Sequence, residues 1–152
     1  MNIDRVELER RMSEFTSVLK SNGIKLTFQR QELFREIASS VEHPDAETIF
    51  RTVRKRVPTI SRDTVYRTLW LFYELSLVTT LGNRGENIRF DANMKPHHHF
   101  VCVRCGLTRD FESREMEALQ IPEQARKFGR ILGSRVEVRG ICADCVNDMG
   151  KG

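Results

Sequence analysis

Residues 61–90 read SRDTVYRTLWLFYELSLVTTLGNRGENIRF. Ser61 is a residue type whose hydroxyl caps a helix start. Val65, Leu69 and Phe72 follow at helical spacing and mark one buried stripe. Two short strand-like runs come next, LVTTL (77–81) and NIRF (87–90), separated by the turn-forming segment GNRGE. The stretch therefore predicts a helix leading into a small hairpin.

Working outward towards the N-terminus, three more helices are expected. Residues 5–21 place Val6, Met12, Phe15, Val18 and Leu19 near one stripe, and Gly23 supplies a stop. Thr27 reads as the cap of a second helix with Leu33, Phe34, Ile37 and Ala38 on its apolar face. Asp45 caps a third, running to about Arg56, with Ile49, Phe50 and Val53 inward and Arg54, Lys55 and Arg56 in its last turn, which suits the helix dipole. Short helices followed by a hairpin form a winged helix-turn-helix pattern. A plain helical bundle with a hairpin would read the same from these residues alone.

The 152 residues carry a net charge of +4, and the first 90 hold 15 Lys and Arg against 12 Asp and Glu. This excess weakly favours an anionic partner for the first half. The opening residues MNIDRVELERR are charged and contain no secretory apolar stretch. No run approaches the ~18 apolar residues that cross a bilayer. The expected setting is therefore the cytoplasm, without membrane attachment, where thiols stay reduced.

The texture changes between residues 84 and 95, giving expected domains of 1–88 and 89–152. HHHFVCV and LTRDF alternate like strands, 113–128 is polar and partly helical around Pro122, and RVEVRGI (135–141) alternates again. The whole is an α+β protein. Cys102 and Cys105 form one C-x2-C pair, and Cys142 and Cys145 a second. Two such knuckles complete a tetrahedron of thiolates around one zinc ion. The long interval between them means that tertiary structure must join them. A redox C-x-x-C pair and an iron–sulfur cluster are the alternatives. A shell of four thiolates leaves no open position for a catalytic zinc.

Three of the four histidines are consecutive: His97, His98 and His99. If this stretch is extended, His97 and His99 share one face and His98 points to the other. Asp91 lies just upstream, and Asp110 and Glu112 share a face on the later strand. Imidazole with carboxylate suits iron, manganese or zinc. The fourth histidine, His43, stands alone in VEHP, where a lone loop histidine is usually a surface residue.

The stretches HPDAETIF, DTVYRTLWLF, RFDANMKPHHHFVCVRCG and GICADC together resemble the ferric uptake regulator (Fur) family over about residues 15–146. The resemblance implies a homodimeric, metal-dependent repressor of double-stranded operator DNA, with an N-terminal winged helix and a C-terminal α/β dimerisation domain. It implies structural Zn(2+) at Cys102, Cys105, Cys142 and Cys145, and a regulatory Fe(2+) or Mn(2+) at His43, Asp91, His97, His99 and Asp110. Ser61, Thr64, Tyr66 and Arg67 would form the DNA-binding face, with Arg67 suited to bidentate guanine recognition. An aspartate at 110 is similar to the peroxide-responsive (PerR) subfamily, in which ferrous iron and peroxide oxidise ligand histidines, here His43 or His97. Arg67 instead resembles iron-sensing members, and zinc or manganese sensing is a further reading. A thiol redox enzyme is the alternative from a different class, and it would need one reactive C-x-x-C pair, commonly at a helix start.

Overall fold

The computed structural model describes residues 3–82 and 87–151. Most of the expected GNRGE turn lies outside the described residues. The chain divides into two compact units, Met1–Met94 and Lys95–Gly152.

The first unit begins with four helices, α1 (Arg5–Ser21), α2 (Phe28–Ser39), α3 (Ala46–Arg54) and α4 (Arg62–Glu74). Each starts on a capping side chain. Asp4, Thr27, Asp45 and Ser61 accept hydrogen bonds from the backbone N–H of Glu7, Arg30, Thr48 and Thr64, satisfying donors that the helix leaves unpaired. Gly23 ends α1 at φ 65°. There its N–H donates to Lys20 O, and that of Ile24 donates to Leu19 O, a closure that needs the left-handed conformation. α3 stops at Arg54, two residues before the expected end, because the N–H groups of Lys55 and Arg56 turn to the nearer carbonyls of Thr52 and Val53.

The helices bury one core. Phe15 and Phe34 stack at 4.4 Å, and Phe72 meets both rings edge-on at 5.4 and 5.7 Å. Leu19, Leu33, Ile37, Ile49, Val53, Val65 and Leu69 fill the space around them. β1 (Thr79–Leu81) and β2 (Arg89–Asp91) pair antiparallel, with Thr79 opposite Asp91. The pairing keeps Asp91 with the first unit, so the structural division falls six residues after the 88/89 boundary expected from sequence.

Val6, expected on the inner stripe, is exposed. It lies in the first turn of α1, and the buried polar position nearby is taken by Arg11. The Arg11 guanidinium donates to Ala38 O at 3.0 Å and to Glu7 at 2.9 Å, which pins α1 to the end of α2. The Glu7 carboxyl is held far below the ordinary glutamate value of 4.5, chiefly by its hydrogen bond from Arg10, with Arg11 adding to it against the opposing effect of burial.

The second unit is a three-stranded sheet of order β4-β3-β5, made from β3 (His98–Cys102), β4 (Thr108–Phe111) and β5 (Glu137–Gly140). β3 pairs antiparallel with β4 and parallel with β5. A parallel neighbour requires a crossover, and residues 112–136 provide it with two single-turn helices, α5 (Arg114–Glu117) and α6 (Glu123–Arg126). α7 (Ala143–Met149) closes the chain.

Arg11→Ala should lower the stability of the zinc-loaded protein by about 2 kcal/mol, because a hydrogen bond from a charged group is lost and a buried carbonyl is stranded. Thermal unfolding measures this. The depressed Glu7 carboxyl adds stability that is present above pH 4.5 and is lost as pH falls below it. Glu7→Gln should therefore flatten the acid limb of a stability-against-pH curve.

Candidate metal centres and DNA-reading helix

The first candidate centre is made by two turns. After β3 the chain reverses at Gly106 (φ 77°), whose N–H donates to Cys102 O at 2.9 Å. Cys102 N–H donates to Leu107 O at 2.8 Å. This brings Cys102 and Cys105 together. The parallel register sets Cys102 opposite Gly140, so the chain leaving β5 delivers Cys142 to the same place. A Cβ on Gly140 would lie 2.9 Å from the Phe100 ring, so a larger residue there would have to displace that ring. The four sulfur atoms lie within 4.8 Å of one another.

The electrostatics fit a divalent cation. The N–H groups of Cys105 and Cys142 point at Cys102 Sγ and bring its thiol down to about 6, which favours a thiolate. Cys145 is pushed up to about 12, first by its hydrogen bond with Cys142 and then by burial. Four sulfurs this close cannot all ionise without positive charge among them, and a soft-ligand tetrahedron of this kind suits zinc. The second knuckle differs from its expected strand-like setting. Cys142 is the N-cap of α7, and Cys145 lies in that helix's first turn. A helix start alone would suit redox chemistry. The gathering of all four thiols at one point instead suits coordination.

Two groups of oxygen and nitrogen donors follow, one in each unit. In the first unit, Pro44 O accepts from Phe90 N–H at 3.0 Å, and Asp45 bridges to Arg89. The loop before α3 is thereby tied to β2. His43 Nδ1 lies 3.6 Å from Asp91 Oδ1, with both side chains buried. His43 is not the surface loop residue that its sequence setting suggests. It has φ 50°, a left-handed conformation that is uncommon outside glycine, with asparagine, aspartate and histidine the more tolerant exceptions, and this backbone accompanies the burial of its ring. Asp91 Oδ1 also accepts from Asn93 N–H at 2.8 Å.

In the second unit, His97, just before β3, and His99, within it, come together. Their Nε2 atoms are 3.1 Å apart. His97 Nδ1 donates to Lys95 O at 2.6 Å, which leaves Nε2 as the ring's lone-pair nitrogen. The sheet register sets Asp110 opposite His99. The Asp110 carboxylate lies 3.2 Å from His99 Nε2 and 3.9 Å from His97 Nε2. His98 points to the other side, where it meets Phe111 and accepts from Val136 N–H through Nδ1. The backbone contacts of Lys95, Asn93 and Val136 left no signal in the sequence, because main-chain groups have no residue signature.

On α4, Tyr66 and Arg67 are exposed. Ser61 is occupied by capping: its hydroxyl accepts from Thr64 N–H and donates to Thr64 Oγ1. Beside the helix runs a groove of about 340 Å³ lined by Thr27, Gln29, Arg30, Thr64, Arg67 and Leu71. Sequence reading did not single out Arg30, although a cation one turn into a helix that packs against α4 was the available clue.

The family profile described as "Ferric uptake regulator family" matches residues 21–138. The chain belongs to the ferric uptake regulator family. Peroxide-responsive repressor PerR of Staphylococcus aureus (strain Mu50) is 30% identical over 145 residues, which is 95% of this chain and 98% of that protein. The Helicobacter pylori ferric uptake regulator Fur is a structural neighbour at TM-score 0.73 and 25% identity, over 95% of this chain and 97% of its own. A zinc-bound manganese uptake regulator follows at 0.64 and 30%, over 90% and 98%. The Fur-family chain is a metal-dependent transcription repressor, not an enzyme.

Cys102→Ser should remove one zinc equivalent per chain and unfold or monomerise the second unit, since a structural zinc contributes folding energy directly. Metal analysis combined with sedimentation tests this. A folded dimer with normal DNA binding would contradict it.

Proposed function

We propose that this chain is a peroxide-responsive repressor of the Fur family. In this reading His43, Asp91, His97, His99 and Asp110 hold one regulatory ion, and Ser61, Thr64, Tyr66 and Arg67 face operator DNA. The observation that carries the peroxide reading is the residue at 110. An aspartate, set by the sheet register opposite His99, occupies the position at which peroxide-responsive members resemble this chain and iron-sensing ones carry glutamate. The relatedness to PerR of Staphylococcus aureus supports the same reading.

The donor set suits Fe(2+) or Mn(2+), because it offers imidazole and carboxylate without thiolate. A bound ferrous ion would supply the reduction of peroxide, and the resemblance to peroxide-responsive members implies that the ligand imidazole oxidised with it is His43 or His97. The chain's own residues do the rest. The loop of His43 is tied to β2, and β2 to the winged helix. His99 and Asp110 are fixed by the register of the other sheet. An ion ligated by both sets would favour one arrangement of the two units, and its loss would release them. That is coupling through differential stability of two arrangements.

A homodimer presents two α4 helices to successive major-groove half-sites. Phe128 and Leu132 are 88% and 90% exposed in the single chain, and large apolar side chains so exposed suit burial between copies. Among the described residues, no helix is long and apolar enough to cross a membrane, and a DNA-binding regulator belongs in the cytoplasm. A second reading, ferrous-iron sensing, is favoured by Arg67 in TVYRTL, where iron-sensing members often carry arginine.

Two experiments test these statements. After Fe(II) loading and peroxide exposure, one added oxygen atom should appear on a peptide containing His43 or His97. Intact DNA binding with no added oxygen would favour iron sensing instead. His43→Asn keeps a residue that tolerates positive φ but removes the imidazole. Titration with Mn(II) should show its operator binding responding at least about tenfold more weakly to metal, with the thiolate-bound zinc retained. An unchanged metal response would exclude His43 from the switch.

A further inference from the structure

The first turn of α4 carries an anionic residue on the face assigned to DNA. Asp63 is 77% exposed and Arg67, one turn on, is 75% exposed. Asp63 Oδ2 lies 3.1 Å from Arg67 Nε in an i,i+4 ion pair. Exposed i,i+4 pairs of this kind contribute little to stability. A free carboxylate facing a polyanion would also weaken binding. The carboxylate suits the helix dipole at this first-turn position, but on a DNA-facing surface it opposes raw affinity.

Arg67 has two available roles on this surface. It lines the groove beside α4 together with Arg30, Thr27 and Gln29. A guanidinium lying there would join Arg30 on a phosphate, which positions a protein without reading sequence. A guanidinium directed at base edges would instead bond guanine O6 and N7. The carboxylate's closest approach is at Nε, and the two Nη groups carry the pair of parallel N–H donors that guanine accepts.

We propose that Asp63 is a specificity-determining residue that holds Arg67 for guanine and withholds it from phosphate. This rests on the DNA-binding reading above. Two effects act together. The carboxylate biases the Arg67 guanidinium towards the paired rotamer, so less side-chain freedom is lost when the Nη edge docks on guanine. Its negative charge also repels phosphates, which penalises every unspecific register more than the one where Arg67 is satisfied by a base. Arg62, the neighbouring cation in the same turn, is likewise paired, with Glu47 at 3.0 Å. The exposed start of α4 thus has its positive charges matched by carboxylates, whereas Arg30 in the groove donates through Nη1 to the neutral carbonyl of Lys25 and keeps its charge for the backbone.

The test is selection from a randomised duplex pool of about 30 base pairs, long enough for two half-sites a helical turn apart. Wild type, Asp63→Ala, Asp63→Glu and Arg67→Ala are compared, each loaded with zinc and Mn(II). Wild type should enrich guanine at one position in each half-site, and Arg67→Ala should lose that preference. Asp63→Ala should reduce it about tenfold, the scale of one bidentate contact. It should also bind the unselected pool more tightly, with a salt slope steeper by roughly one phosphate. Asp63→Glu, which can still pair across one turn, should recover part of the preference. If Asp63→Ala keeps the wild-type guanine preference and salt slope, the pair is an ordinary surface contact and the proposal is overturned. If metal-loaded wild type enriches no sequence, the DNA-binding reading itself fails, and this proposal with it.

Discussion

The second unit depends on four sulfur atoms. Its buried hydrophobic cluster consists of Cys102, Cys142 and Cys145, with Phe100 and Leu107 packed partly against them. A small unit with so few buried apolar side chains cannot offset the entropy of ordering its chain by the hydrophobic effect alone. Coordination must supply what packing does not. Everything else in this unit follows from where the sulfurs sit. Gathering them requires β5 to lie parallel to β3, and the parallel register requires Gly140 to pass the Phe100 ring. That same register orders β3, which in turn fixes His97 and His99 on one face. The closed thiolate cluster is therefore the scaffold for the nitrogen and oxygen donors beside it.

The two donor sets also sort metals by chemistry. Four thiolates hold a soft or borderline ion tightly and leave it no open position. Imidazole and carboxylate form a harder, weaker site whose occupancy can follow metal supply. A regulator built from one chain needs both properties at once. One site must stay filled so that the fold persists, and the other must exchange so that the fold can report. In the proposed assignment, division of cysteine from histidine and aspartate would provide both.

Much of the fold was legible because it rests on local chemistry. Thr27, Asp45 and Ser61 cap helices as their residue types require. The apolar stripes of α2, α3 and α4 are the buried ones. The C-x2-C spacing announces a knuckle by itself. What was hidden depends on tertiary contact. Burial of Arg11 reflects a carbonyl on another helix, which no periodicity encodes. Ser76, two residues beyond the end of α4, takes φ 56° where glycine would be the usual choice. α7 is short and polar, so its pattern was too weak to separate from the cysteine loop. His43 shows the limit most clearly. Its burial beside Asp91 depends on the loop before α3 being tied to β2, and only the family resemblance raised it above a surface histidine.

Charge places a last constraint on how such a protein finds its site. A net charge of +4 over 152 residues gives modest long-range attraction to DNA. Several cations of the first unit are already matched, Arg10 and Arg11 with Glu7, Arg56 with Glu32 and Glu36, and Arg62 with Glu47. Unspecific binding, which grows with each phosphate neutralised, is correspondingly restrained. A repressor that must release DNA when a single ion is lost benefits from this. If scattered lysines and arginines supplied most of the affinity, losing the orientation of two α4 helices would change little. When affinity instead comes from a few side chains presented at the correct half-site spacing, the same loss removes most of it. Weak general attraction is thus what allows a metal-controlled geometry to act as a switch.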